Sequence, residues 1–396
     1  MSDKQLRITE GWAVAAGVVA AGLVLQLLAG PFRWEVFAFP VNVIVCAAFI
    51  TVGVCIFLFR KKSPVLEFLG SLQAAVPAMT AAAVLTVIMG LTRQVPSGMK
   101  APGVFGFRSM LTSWPFVLSY IYMEIILLQV ILKEITSWRW NAFPSLVFHA
   151  GFFTVLLAGS MGSPDMAMLE MEVNRNAPQW SASDEAGEVR NLPLGIQLLG
   201  FDIAEYPPKL ALSAADGKPL HDPARTITVD STFSSGSVGS WKVSLKEYIE
   251  TAAPSEEGYV CWPSPGSACA LLLSATDGSS EHEGWVFGGS YLFPKQGLEL
   301  AEGEFLFMRP RMPRRFEADV QVLTKAGKSS RITLAVNEPF SIDGWKIYLA
   351  DYDARMGRWS DTCVLELVKD PWLPAVYAGI FMMLAGAALM LFIKRR

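Results

Sequence analysis

Residues 142–161 read AFPSLVFHAGFFTVLLAGSM: twenty positions without one Asp, Glu, Lys or Arg, and a single histidine, His149, about a third of the way along. A run of about 20 apolar residues is what an α-helix needs to cross the hydrocarbon of a bilayer. Directly after it the chain changes character. Residues 162–371 hold 19 Lys/Arg and 30 Asp/Glu, a net of −11, whereas the remainder is net +8. An acidic domain of soluble composition is therefore spliced into a basic, apolar protein.

Five more runs of that length bring the spans to six, at about 12–30, 37–59, 71–92, 114–132, 142–161 and 372–393. The first follows Lys4 and Arg7 as a signal peptide would, but it is long and a second span follows closely, so it reads as a retained helix. Orientation follows from Lys and Arg. With the N-terminus in the cytoplasm, the inner segments carry Lys4, Arg7, Arg60, Lys61, Lys62, Lys133, Arg139, Lys394, Arg395 and Arg396, against Arg33, Arg93, Lys100 and Arg108 outside. That bias is the positive-inside pattern, and Trp114, Trp138, Trp140 and Trp372 fall at span ends, where an amphipathic ring prefers to sit. Both termini are expected in the cytoplasm, and the acidic block in the periplasm.

The expected fold is an α+β membrane protein: six transmembrane helices with a large exported, antiparallel β-rich domain between helices five and six. Its parts are a five-helix region 1–161, a β-rich domain 162–371, and a final span with a basic tail at 372–396. Short alternating runs mark strands at Thr226–Val229, Trp241–Leu245, Ala318–Leu323, Ile332–Val336 and Trp345–Leu349. Asp216-Gly217, Lys325-Ala326-Gly327 and Asp343-Gly344 supply turns. Two antiparallel sheets, or one strongly curved sheet, would bury this pattern. The polar stretches 180–190 and 251–258 are expected as loops.

Composition excludes several classes. With 52% hydrophobic and 17% charged residues and a mean hydropathy of +0.36, the chain is too apolar to be wholly soluble or disordered. A pI of about 5.8 with no basic domain argues against nucleic acid as a partner. Walker A, H-E-x-x-H, G-x-S-x-G, dinucleotide and C-x-x-C patterns are absent from the sequence.

Few groups are left to carry chemistry. An ionisable side chain within a span is costly, which singles out His149 and also Glu124, near the centre of the fourth span. For His149 the residues leave two readings, an interhelical hydrogen bond or a metal or haem ligand; Ala150 and Gly151 beside it leave room for a flat ligand or another helix. For Glu124 a structural and a functional role stand level. His221 and His282 lie in polar stretches and read as surface residues. Cys261 and Cys269, eight apart around a Pro-Ser-Pro-Gly turn, are a candidate disulfide in an oxidising compartment, which leaves Cys363 unpaired. The run Arg309, Arg311, Arg314, Arg315 reads first as a solvated loop.

Several segments, in order along nearly the whole chain, resemble the ResB family of cytochrome c biogenesis proteins (system II). They are Leu25-Gln26-Leu27-Leu28-Ala29-Gly30-Pro31 through Trp34-Glu35 to Phe39-Pro40-Val41-Asn42; Ser113-Trp114-Pro115-Phe116; Phe148-His149-Ala150-Gly151-Phe152; Leu192-Pro193-Leu194; Phe201 to Leu210; Val336-Asn337-Glu338-Pro339; Gly344-Trp345-Lys346-Ile347-Tyr348; and Lys369-Asp370-Pro371 leading to Tyr377-Ala378-Gly379. The resemblance implies a subunit, in a bacterial inner membrane, that helps carry haem b across and presents it to apocytochrome c for thioether attachment. It makes His149 one axial ligand of the haem iron. Lys133 and Arg139, near the cytoplasmic end of that helix, become candidate contacts for the propionates. The likeness is to the ResB half of fused ResB–CcsA synthases. The tryptophan-rich segment of the CcsA half is absent here, so the expected partner is a separate CcsA-type membrane protein, which supplies the second axial ligand. The chain then forms part of a haem lyase and is incomplete alone, with its exported domain a binding module. Two other readings compete: a membrane scaffold whose domain recruits partners, and a proton-coupled transporter or sensor using Glu124 and His149.

Overall fold

The apolar runs become helices because a backbone in lipid must satisfy its own hydrogen bonds. The computed structural model describes residues 2–95, 105–138, 140–214 and 226–392. Lys100, Arg139, His221, Asp216-Gly217 and the tail residues 394–396 lie outside these, as do the side chains of Lys4 and Arg7. The helices are α1 (Ser2–Ala29), α2 (Val41–Phe59), the short α3 (Pro64–Phe68), α4 (Leu72–Leu91), α5 (Trp114–Thr136), α6 (Phe143–Gly162) and α7 (Leu373–Phe392). All but α3 belong to segments long and apolar enough to cross a membrane, so the chain is a multi-pass membrane protein. Pro115 and Pro144 sit in the first turns of α5 and α6, where a missing N–H costs nothing.

Two packing centres organise the helices. α5 lies against α1, α2, α4 and α6 and is the most enclosed span. α6 pairs along its length with α7, and glycine makes that approach possible: a Cβ on Gly151 would stand 2.6 Å from the Gly379 carbonyl oxygen, and one on Gly386 2.6 Å from the Phe148 nitrogen. In lipid, where apolar surface gains little by leaving solvent, such close backbone packing is what holds helices together.

Every strand pairing in the β-rich domain is antiparallel. An eight-stranded sheet runs in the order Ser329–Ala335, Pro313–Thr324, Val189–Glu205, Gln179–Ser183, Ala167–Asn174, Thr362–Lys369, Trp345–Tyr352, Phe340–Ile342. It curves until Ser329–Ala335 meets Trp345–Tyr352, around a core that includes Met171, Leu194, Ile196, Val320, Ile347 and Leu365. A five-stranded and a four-stranded sheet form a sandwich beside it, sharing Trp241, Leu271, Leu273, Leu210, Leu306 and Leu300. Both sequence alternatives are thus realised, in one domain with three sheets. Asp343-Gly344, with φ of 46° and 81°, closes the hairpin from Phe340–Ile342 to Trp345–Tyr352 as two successive left-handed residues should.

The expected loops are mostly strand. Gln179–Ser183 pairs with a strand beginning at Val189, and only the intervening residues turn; Trp241–Ser255 continues past 251 and pairs with Gly258–Cys261. Alternating exposure hides such edges among polar residues, because only one face of each strand is buried.

The domain's entry and exit are neighbours. Ala167–Asn174, which follows α6, pairs residue for residue with Thr362–Lys369, which precedes α7, from Ala167 opposite Lys369 to Asn174 opposite Thr362. Below this ladder Asp165 accepts hydrogen bonds from the Phe39 amide, Asn42 Nδ2 and Trp372 Nε1, each at 2.7 Å. Asn42 also reaches the Met161 carbonyl at 2.9 Å. One carboxylate therefore ties the start of α2, the end of α6 and the approach to α7.

Candidate functional site

His149 stands six residues into α6, about 9 Å along its axis at 1.5 Å per residue. Its neighbour is Glu134, in the last turn of α5. The expected span ends at 132, but the helix continues to Thr136, and that extra turn brings Glu134 opposite the start of α6. Its two carboxylate oxygens lie 3.2 and 3.1 Å from His149 Nδ1. Ser145, one helical turn before the histidine, donates to Glu134 Oε1 at 2.6 Å and stands 3.4 Å from Nδ1. An ionised carboxylate only accepts, so in this contact Nδ1 is the donor. Nε2 makes no hydrogen bond among the described residues. The histidine side chain is 30% exposed, its edge set against Phe148 at 5.8 Å between centroids. The ring thus opens to the flank of the bundle rather than to a sealed interior.

Of the two parts its size suggested, Gly151 takes the approach of another helix. It serves the α6–α7 contact, with no space beside it for a flat ligand. Lys133 is exposed beside Glu134, and its side chain makes no ion pair among the described residues. Trp138 packs edgewise on Trp140 and Phe143, at 5.7 and 6.0 Å.

Glu124 is a separate centre, ten residues and about 15 Å up α5 from Glu134. It is 2% exposed, and its Oε1 has no partner among the described residues. Ser160 of α6, whose hydroxyl donates to the Leu157 carbonyl at 3.2 Å, and Cys46 of α2 lie nearby. Ser119 Oγ and Tyr122 Oη on the same helix are likewise buried without partners, whereas Tyr120 Oη donates to the Leu156 carbonyl at 3.0 Å. His149 and Glu124 are therefore not one site.

Cys261 and Cys269 are both free. Ala252 pairs with Cys261 on one side and with Ala268 on the other, so a strand runs between the two cysteines. Two strand spacings are about 10 Å, beyond the Cα separation a disulfide spans. Cys261 is exposed; Cys269 and Cys363 are buried, and burial pushes both thiols up to about 12, which leaves them unreactive.

Arg311 is not part of a solvated loop. It connects the four-stranded to the eight-stranded sheet and is 13% exposed, with Nη1 2.7 Å from Glu250 and 3.4 Å from Glu205, while Nε donates to the Tyr206 carbonyl at 3.1 Å. Arg358 adds a contact to Glu250 at 3.3 Å, and Tyr248 donates to the same carboxylate. Burial alone would raise the Glu250 carboxyl, but these donors outweigh it and leave it below the usual range. The cluster joins the sheets and borders a cavity of about 390 Å³ with Pro207, Asp230 and Phe233.

No curated protein matches the chain. A solved structure titled Cytochrome c Heme Lyase CcmF is similar at 10% identity and a TM-score of 0.25, over 90% of this chain and 46% of that one, so the chain spans about half that protein's length. A score that low carries no argument. The family comparison does: the ResB-like family matches residues 139–361, which take in all of α6 and nearly all of the β-rich domain. The chain belongs to the ResB-like family, and its role lies in cytochrome c biogenesis.

Proposed function

We propose that the chain is the haem-holding, ResB-type subunit of a cytochrome c synthetase, acting with a CcsA-type membrane partner to move haem b outward and present it to apocytochrome c. One observation carries the reading: within a span, an imidazole has one nitrogen engaged by a carboxylate and the other unoccupied on an open flank. That is the arrangement of an axial ligand, whose second nitrogen is oriented by an acceptor. The open flank suits a porphyrin shared with a second subunit, because the partner's helices form the other wall. Haem, when bound, supplies the iron for His149 and the vinyl groups to which the client's cysteines add.

The remaining parts follow from this chain's own residues. Lys133 offers a cation to a propionate at the edge of the bilayer, and Arg139 takes the same role on sequence alone. The β-rich domain, periplasmic in the orientation set by the Lys and Arg bias, receives the client or the partner's outer loops. The ladder and the Asp165 contacts keep it over α6 and α7.

Co-purification of the chain with its CcsA-type partner tests this. A Soret band is expected in the wild-type complex and is expected to vanish in His149→Ala while the complex still assembles. A colourless wild-type complex that supports cytochrome maturation overturns the proposal in favour of a scaffold. A second reading has its own observation, the buried Oε1 of Glu124, which has no partner among the described residues: proton-coupled uptake abolished by Glu124→Gln would support transport.

A further inference from the structure

Resting on the reading of His149 as an iron ligand, we propose that Glu134 is its positioning residue: the carboxylate fixes the plane and tautomer of the ring so that Nε2 reaches the iron without a proton. Which imidazole nitrogen carries hydrogen is set by what the other one bonds. Glu134 offers two oxygens to Nδ1, at 3.1 and 3.2 Å, and no other carboxylate among the described residues makes an ion pair with the ring. Ser145 clamps that carboxylate with a 2.6 Å hydrogen bond, so the acceptor is itself oriented.

The three residues come from two helices, and their spacing explains the assembly. Ser145 and His149 are one turn apart on α6 and share a face. Glu134 meets that face only because α5 runs on to Thr136. The Nδ1–Glu134 contact is itself an interhelical hydrogen bond between α5 and α6, one of the two parts expected of this histidine. Here Nε2 is left over and the side chain is part exposed. A carboxylate on Nδ1 also makes the ligating nitrogen a stronger donor, which favours ferric over ferrous iron.

The test uses the full-length chain in nanodiscs, first free of haem and then titrated with hemin. Nitrogen-15 histidine NMR of the haem-free protein is expected to show His149 protonated at Nδ1 and bare at Nε2. In Glu134→Ala the proton should move to Nε2, hemin affinity should fall by about 10–100-fold, and the residual bound hemin should shift to a more positive reduction potential. Glu134→Gln, whose amide oxygen still accepts from Nδ1, should restore the tautomer and most of the affinity but keep the raised potential. An Nε2-protonated or doubly protonated ring in the wild type overturns the proposal, as does a Glu134→Ala protein with unchanged tautomer and potential. The wild-type spectrum decides the first point even if Glu134→Ala does not fold. A wild type that binds no hemin yet shows the Glu134-dependent tautomer removes the haem reading and leaves the orientation of the ring by Glu134 intact.

Discussion

Buried polar atoms are left without a partner more often in the helical half of the molecule than in the β-rich domain. In the β-rich domain, Arg311 enters a low-exposure position only with Glu205, Glu250 and the Tyr206 carbonyl around it. Along α5, by contrast, the side chains of Trp114, Ser119, Tyr122 and Glu124 each keep a buried polar atom with no partner among the described residues. Desolvating such groups unpaired is costly in either medium. Among the described residues the domain leaves one buried side-chain polar atom without a partner, Ser267 Oγ, and no charged one. The bundle carries groups that another chain, a ligand or a proton would satisfy, and its ring at His149 is open on one side.

The largest effect that would test this contrast is expected at Arg311. Arg311→Ala strands Glu205 and Glu250 beside each other, and the domain should lose about 3 kcal/mol, since removing one member of a buried pair leaves the other uncompensated and partial exposure keeps the cost at the low end. Chemical unfolding of the purified chain measures it; a change under about 0.5 kcal/mol, the usual range for surface substitutions, would mean the cluster is merely solvated. Next in size is the helix pair: Gly379→Val places a side chain where a Cβ already meets the Gly151 carbonyl oxygen at 2.7 Å. About 2 kcal/mol of overpacking strain should follow, seen as a lower melting temperature.

Acidity should act on the domain in a fixed direction. Glu250 has a folded-state pKa below its ordinary 4.5. Its contribution is then complete above that value and lost as pH falls through the lower folded-state one. Unfolding followed against pH should show this acid-side loss, and Arg311→Met should flatten it. The smallest change is expected in the bundle. Ser119→Ala deletes a hydroxyl that has no partner, so stability should stay within about 0.5 kcal/mol. A larger loss would mean that the hydroxyl is already bonded and the contrast overstated.

The spans were legible because lipid demands long apolar runs, and they recur within a few residues of their expected limits. Glu134 was not. A charge near the end of an apolar run reads as the boundary of the span, and nothing local says that the helix winds one turn further to reach α6. The same limit hid Asp165, whose donors come from residues 39, 42 and 372. Hairpins closed by Lys325-Ala326-Gly327 and Asp343-Gly344 were readable from turn chemistry. The strands at Ala167–Asn174 and Thr362–Lys369 find their partners about two hundred residues away, and no short-range pattern records such pairing. Sequence proximity misled for Cys261 and Cys269, because register, not separation along the chain, put a strand between them.

The ladder from Ala167–Lys369 to Asn174–Thr362 has one more consequence. Paired strands lie about 5 Å apart, so everything from 167 to 369 leaves the bilayer and returns to it at nearly one point. Seen from the lipid, the largest part of the molecule is a tight turn between α6 and α7. The bundle below could tolerate a different module, or a few residues of linker, grafted at that point, while the histidine several turns beneath kept its neighbours.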